Sequence, residues 1–132
     1  MLQIDLVSTN RRFHTFLRGV HEVAEEHNLE HVISLFRFRM RDLTPAQGEE
    51  YSSTAERLLT LASAMPGFIS FRHYTSDDGE LLAVVEFASA ETLAAWRDHP
   101  DHRKAQQRGR NEFYAEYAII NCAVLHRYGY KP

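Results

Sequence analysis

Apolar and polar residues alternate along this chain in patterns that predict distinct strands and helices. Residues 31–40 are rich in β-branched and aromatic side chains, which predicts a strand with apolar groups on both faces. Thr44 and Gln47 form a predicted capping box, with Pro45 at the first helical position. Apolar residues then recur at spacings of three and four, which predicts one helix ending at Pro66-Gly67. The stripe consists of Tyr51, Ala55, Leu58, Ala62 and Met65.

The middle of the chain has the pattern of a β-hairpin. Residues 68–75 and 80–87 predict two strands, and the turn sequence Ser76-Asp77-Asp78-Gly79 joins them. A turn of this length places His73 and Glu86 on the same face of the sheet. There they form either an acid–base pair or a structural polar pair.

The last third of the chain predicts an interrupted helix and a final strand. Ser89 is positioned to cap the helix, and Pro100 breaks it because proline lacks the backbone N–H and clashes with the preceding turn. A second helical piece is expected over residues 101–116, and a long strand over residues 117–128. The order after residue 30 is therefore β-α-β-β-α-β, an α+β arrangement of the ferredoxin-like type.

Two segments follow from this reading, an N-terminal extension over residues 1–30 and a domain over residues 31–128. Helical spacing predicts an extra N-terminal helix whose apolar face docks on its own domain or on a partner. That face contains Phe13, Phe16, Leu17, Val20, Val23 and Ala24. The two-faced first strand fits a sheet covered by helices on one side and by a partner on the other.

Composition narrows the class of protein. The 132 residues suit one domain, and 44% hydrophobic residues suffice for a core. The net charge of −3, without a basic stripe, argues against a nucleic-acid partner. No apolar run approaches 18 residues, so no membrane span is expected. A single cysteine, Cys122, and a start unlike a signal peptide favour a cytoplasmic protein.

Histidines and arginines supply the candidate chemistry. His99 and His102 are three residues apart around Pro100, but no further ligand cluster is evident and a metal site is not favoured. The common alternative is that they cap a helix or titrate near neutral pH. Arg37, Arg39 and Arg72 lie on predicted strands. They either hold a phenolate or carboxylate or pair with acids such as Glu86.

The second half of the chain resembles the antibiotic biosynthesis monooxygenase family. The resemblance covers about residues 31–128 and rests on the order and spacing of several short pieces. They are Met65-Pro66-Gly67-Phe68-Ile69, Val84 to Ser89, Glu91 to Arg97, His99-Pro100-Asp101-His102, Ala105-Gln106, Gly109-Arg110, Tyr114, Tyr117 and Cys122 to Leu125. It implies a dimeric α+β barrel, in which two sheets pack face to face and the last strand reaches across to the partner.

The resemblance also implies a function and a set of site residues. Some family members oxidise phenolic polyketides with O2 and without metal or flavin; others degrade haem. We therefore expect a homodimeric monooxygenase without a cofactor, acting on a small aromatic or polycyclic substrate. The candidate catalytic residues are Trp96, His73, His99 and His102. The candidate substrate-binding residues are Arg37, Arg72, Phe36, Phe38, Tyr74, Gln106 and Tyr117.

Two other functions stay open at this point. The haem-degrading relatives have a ligating histidine ten positions after the tryptophan that matches Trp96, and here that position is Gln106. Gln106 disfavours haem degradation, because an amide is a poor axial iron ligand. The other alternative is a non-catalytic dimer that binds a small ligand or has a structural role. A space beside Trp96 filled by side chains such as Phe36, Phe38, Phe71 and Phe113 would favour it.

Overall fold

The computed structural model describes residues 30–132, so the predicted N-terminal helix lies outside the described residues. The described chain has the predicted β-α-β-β-α-β order. Its elements are β1 (Val32–Met40), α1 (Pro45–Ser63), β2 (Phe68–Thr75), β3 (Leu81–Phe87), α2 (Ala90–Arg97), α3 (Pro100–Arg108), a π-helical turn (Gly109–Phe113) and β4 (Tyr114–Ala123). The strands pair antiparallel in the order β2-β3-β1-β4. The predicted ferredoxin-like α+β fold is thereby confirmed.

The two predicted helix starts are confirmed by their caps. Thr44 and Gln47 exchange both hydrogen bonds of a capping box at the start of α1. Ser89 and Thr92 do the same at the start of α2. Each box satisfies backbone donors that the first helical turn leaves without a partner.

The β2–β3 hairpin differs from the prediction by one residue. Ser76 N–H donates to the Glu80 carbonyl at 2.9 Å, so the loop contains three residues and Gly79 adopts a φ of 89°. In this register His73 pairs with Ala83, whereas Glu86 pairs with Ser70. His73 and Glu86 therefore lie on opposite faces, and the predicted His73–Glu86 pair is wrong. A shift of one residue exchanges the two faces of a strand.

The last helix and strand also begin and end earlier than predicted. Helical structure ends at Phe113, and β4 covers Tyr114–Ala123 instead of residues 117–128. The Arg41 guanidinium donates to the carbonyl oxygens of Arg110, Asn111 and Tyr114 at 2.8 to 2.9 Å, which satisfies the carbonyls at the helix end. Because this partner lies about 70 residues away in the sequence, local pattern did not reveal the boundary.

The core lies between the helices and one face of the sheet. Phe87 is fully buried and packs with Ala62 of α1 and Trp96 of α2. Val32, Phe68 and Val85 contribute from the strands on the same face. Alternation along the paired strands places a second apolar set on the opposite face. It consists of Ile33, Leu35, Leu82, Val84 and Ile120.

Among the described residues, none of the helices has both the length and the apolar character needed to cross a membrane.

Candidate functional site

Three of the predicted site residues meet where α2 ends and α3 begins. His99 caps α3, because its Nδ1 accepts the Asp101 N–H at 3.2 Å. The His102 ring stacks on the Trp96 indole with centroids 4.2 Å apart and an interplanar angle of 12°. Trp96, His99 and His102 therefore form one cluster. The capping alternative for the histidines is observed at His99.

The side chains of α3 complete the end of α2. His102 Nδ1 lies 3.0 Å from the Trp96 carbonyl oxygen, and Gln106 Nε2 donates to the Arg97 carbonyl at 3.1 Å. These two carbonyls are among those that a helix leaves without an intrahelical partner at its C-terminal end. His102 and Gln106 thus bind backbone carbonyls at the end of α2, and the Trp96 carbonyl also accepts the His99 N–H at 3.1 Å.

The protonation of His102 follows from these contacts. Burial lowers the pKa of His102 below its usual value of 6.5, whereas the hydrogen bond to the Trp96 carbonyl acts in the opposite direction. A carbonyl oxygen only accepts hydrogen bonds, so Nδ1 bears the proton of the neutral ring. The lone pair is then on Nε2, which makes this atom a proton acceptor.

The indole of Trp96 is largely enclosed by its own domain. Its exposed fraction is 7%, and it belongs to the same cluster as Ala62 and Phe87, with Leu93 packed beside it. Trp96 therefore contributes to docking α2 on the sheet. One ring face stacks on His102, and the His99 ring lies tilted at a centroid distance of 5.9 Å.

A second group of predicted residues meets at the other end of β1. Phe36 stacks on Phe38 at 4.7 Å, and Tyr117 meets Phe36 edge-on at 5.6 Å. Tyr51, Phe113 and Tyr114 complete this aromatic cluster. The Tyr114 hydroxyl donates to the Tyr51 hydroxyl at 3.5 Å, and burial raises the pKa of Tyr114, so its phenol is neutral at physiological pH.

The remaining predicted residues lie elsewhere on the sheet. Arg37 pairs with Glu80 at 3.0 Å. By register, Arg37, Arg72 and Tyr74 are on the face opposite the helices, while His73 is on the helix-side face of the edge strand β2. The structure therefore does not bring these four residues to the Trp96 cluster.

Sequence reasoning missed a buried ion cluster around Glu86. Its carboxylate is 6% exposed and its Oε2 lies 2.7 Å from His31 Nδ1 and 2.6 Å from Arg127 Nη2. Burial alone would raise the pKa of Glu86, but these hydrogen bonds lower it below its usual value. The sequence signal for this cluster is a single carboxylate, Glu86, within the otherwise apolar strand β3. Its partners are not adjacent in sequence, because His31 precedes β1 and Arg127 follows β4.

Sequence reasoning also missed a cleft between α2 and the β1–β4 end of the sheet. Its volume is about 180 Å³. The lining residues are Val32, Ala90, Leu93, Ala94, Arg97, Asn121, Cys122 and Ala123. The spacing of residues 90, 93, 94 and 97 marks one face of α2, which is the available sequence signal. Residues 30–132 contain no group of three or more metal-binding side chains.

Comparison with known proteins identifies the family. The sequence profile of the antibiotic biosynthesis monooxygenase (ABM) family matches residues 34–108, which is more than half of the chain. The chain belongs to this family. The match includes β1, α1, the hairpin, α2 and α3, and thus Trp96, His99, His102 and Gln106.

Individual relatives of this ABM chain are distant. Uncharacterized protein YqjZ of Bacillus subtilis is 35% identical over 69 residues, which is 52% of this chain and 60% of YqjZ. The match thus spans less than two thirds of that relative. Rv0793 from Mycobacterium tuberculosis has a TM-score of 0.63 at 22% identity, covering 76% of this chain and all of that chain.

Two further solved structures share the fold. SnoaB, a cofactor-independent oxygenase from Streptomyces nogalater, has a TM-score of 0.54 at 16% identity, covering 69% of this chain and 91% of SnoaB. A dimeric ferredoxin-like protein of unknown function from Thermobifida fusca has a TM-score of 0.58 at 22% identity, covering 71% and 91% of the two chains. At these identities the likeness establishes the fold.

Proposed function

We propose that this ABM protein is a homodimeric oxygenase that oxidises a small aromatic substrate with O2 and without a metal or flavin. The observation that carries the proposal is the position of the His102 ring. Its neutral ring is fixed by the Trp96 carbonyl and stacked on the only tryptophan of the chain. This leaves Nε2 as an oriented proton acceptor beside an aromatic surface.

The proposed reaction begins with proton removal. His102 Nε2 takes a proton from a substrate carbon activated by a phenolic ring, and the resulting carbanion reduces O2. One oxygen atom becomes a new carbonyl group on that carbon. The other leaves as water with the two hydrogen atoms that the carbon loses, so a CH2 group and O2 give C=O and H2O. Trp96 is the proposed aromatic wall.

The homodimer part of the proposal rests on the exposed sheet face. Ile33, Leu35 and Val84 form its apolar centre, and the neighbouring Ile120 is 46% exposed. An apolar face of this kind is typical of a protein–protein interface. The ferredoxin-like protein from Thermobifida fusca, which shares the fold, is itself dimeric. Sedimentation equilibrium is the direct test, and a monomer across the micromolar range would contradict the dimer.

The oxygenase is tested by O2 consumption with a panel of phenols and anthrones. We expect substrate-dependent O2 uptake with stoichiometric ketone or quinone formation in metal-free buffer. His102→Gln is expected to reduce the rate by 10²-fold or more, since a positioned base contributes about 10²–10⁴-fold. His73→Gln, on the edge strand, is the matched control and should retain the rate.

A second function has an observation in its favour. Trp96 is 7% exposed and packs against core side chains, which favours a ligand-binding dimer without catalysis. The two functions predict different results in the same assay. Saturable binding of an aromatic ligand without O2 uptake, with equal affinity in wild type and His102→Gln, would support binding alone and contradict the oxygenase.

A further inference from the structure

We propose that the cleft between α2 and the β1–β4 end of the sheet binds a single-ring aromatic carboxylate. The apolar ring lies between α2 and the sheet, and Arg97 and Asn121 bind the carboxylate. Binding of this ligand does not require oxygenase chemistry, so the proposal is independent of the proposed function.

The dimensions of the cleft limit the size of the ligand. Its volume of about 180 Å³ is slightly larger than a cavity of roughly 150 Å³ that holds one benzene molecule. It is smaller than the range of about 300–1,000 Å³ found for drug-sized ligands. One ring with one small substituent is of a size that this volume accommodates.

The walls of the cleft favour a flat apolar group. Ala90 and Ala94 face it from α2, and Ala123 faces it from β4. Alanine side chains keep the helix and the strand apart without filling the space between them. Val32 and Leu93, which also pack against the core, close the apolar end. A planar ring buries apolar surface against both walls, which is the source of affinity here.

Arg97 supplies the positive charge at the cleft. Its Nε and Nη2 lie 3.2 and 3.4 Å from the two carboxylate oxygens of Asp98, which are long contacts on an exposed side chain. Asp98 has a second partner, because Arg103 Nη2 donates to its Oδ1 at 2.7 Å. A ligand carboxylate can therefore bind Arg97 while Asp98 retains its ion pair with Arg103. Guanidinium and carboxylate match in a bidentate geometry.

Asn121 supplies a polar group from the floor of the cleft. It lies on β4 directly opposite Ser34 of β1, on the helix-side face of the sheet. Within residues 30–132 neither side chain has a hydrogen-bond partner. An amide N–H can donate to the second carboxylate oxygen, which Arg97 alone does not saturate. The Arg97 guanidinium of α2 and the Asn121 amide of β4 thus bind the same carboxylate of the ligand.

Binding is measured on the full chain with benzoate as the probe, by calorimetry and by fluorescence. Calorimetry is the primary readout; Trp96, the only tryptophan, directly precedes Arg97 in α2, and its emission is recorded alongside. For a ligand of this size we expect a Kd of about 0.1–1 mM. Arg97→Gln is expected to weaken benzoate at least tenfold, and Ala94→Leu, which fills the cleft, to abolish binding. Asp98→Asn should retain or tighten benzoate binding.

Matched controls separate this site from general charge effects. Arg57→Gln removes an exposed arginine from α1 and should leave benzoate binding unchanged. Benzamide, which has the same shape without the charge, should bind at least tenfold more weakly than benzoate. Circular dichroism confirms that each variant is folded. Lack of saturable benzoate binding, tighter binding of 2-naphthoate, or equal losses in Arg97→Gln and Arg57→Gln would each overturn the proposal.

Discussion

Gly67 lies between α1 and β2 and contacts the start of α2, so replacing it with alanine tests how α2 is held. Gly67 has a φ of 82°, a region that costs an ordinary residue about 1–2 kcal/mol. Its carbonyl accepts the Ala88 N–H at 2.7 Å, which fixes the segment that leads into α2. The backbone conformation of Gly67 and its position beside α2 are therefore both constrained.

The cost of Gly67→Ala has a second part, which comes from Thr92. An added Cβ would lie 2.5 Å from Thr92 Oγ1 and 2.6 Å from Thr92 Cβ. Rotation of the threonine side chain does not move its Cβ, so α2 itself must shift. Loss of the Ser89–Thr92 capping box costs about 0.5–2 kcal/mol. Together with the backbone term, we expect Gly67→Ala to lower the free energy of unfolding by about 1.5–4 kcal/mol.

Urea unfolding at a fixed protein concentration measures this change. Gly48→Ala is the matched control, because Gly48 lies within α1 and an added Cβ there has no atom within 4 Å. It should stabilise the protein by about 0.5–1 kcal/mol, since alanine is the better helix former. A Gly67→Ala variant within about 0.5 kcal/mol of wild type would refute the steric argument.

Two further predictions concern pH. Glu86→Gln is expected to cost about 1–3 kcal/mol at neutral pH, because it weakens the hydrogen bonds to His31 and Arg127. Folding lowers the pKa of Glu86, so the carboxylate stabilises the protein above pH 4.5, and this stabilisation is lost as the pH falls below that value. Urea unfolding should therefore show a smaller loss of stability in acid for Glu86→Gln than for the wild type. The pKa of His102 is also lowered on folding, so the unfolded state binds the proton preferentially and stability should fall as pH drops below about 6.5. His102→Gln should remove that dependence in unfolding curves recorded between about pH 5 and pH 8; an unchanged slope would contradict the buried neutral ring.

The parts of the fold that sequence predicts well are those decided by nearby residues. The capping boxes at Thr44 and Ser89 are formed within four residues of chain, and both are present. The hairpin turn was also recognised, but its register depends on whether one residue belongs to the loop or to the strand. Ser76 pairs with Glu80, and that single pair decides which face His73 occupies.

The parts of the site that sequence misses depend on distant partners. Arg41 ends the π-helical turn from about 70 residues away, and Arg127 reaches Glu86 from beyond β4. The spacing of residues 90, 93, 94 and 97 marks the helix face of the cleft, but the strand residues opposite it depend on how the sheet is paired. In contrast, Phe36, Phe38 and Tyr117 were predicted and do meet, because neighbouring strands bring alternate residues to one face.

The position of His102 is compatible with both a structural role and the proton-accepting role that we propose. Its Nδ1–H holds the Trp96 carbonyl at the end of α2, and that hydrogen bond persists when Nε2 gains a proton. The added positive charge would then lie at a helix C-terminus, where the backbone carbonyls stabilise a cation. Burial acts in the opposite direction and favours the neutral ring. Protonation of Nε2 therefore costs stability through burial, but it leaves the Nδ1–H hydrogen bond at the end of α2 in place.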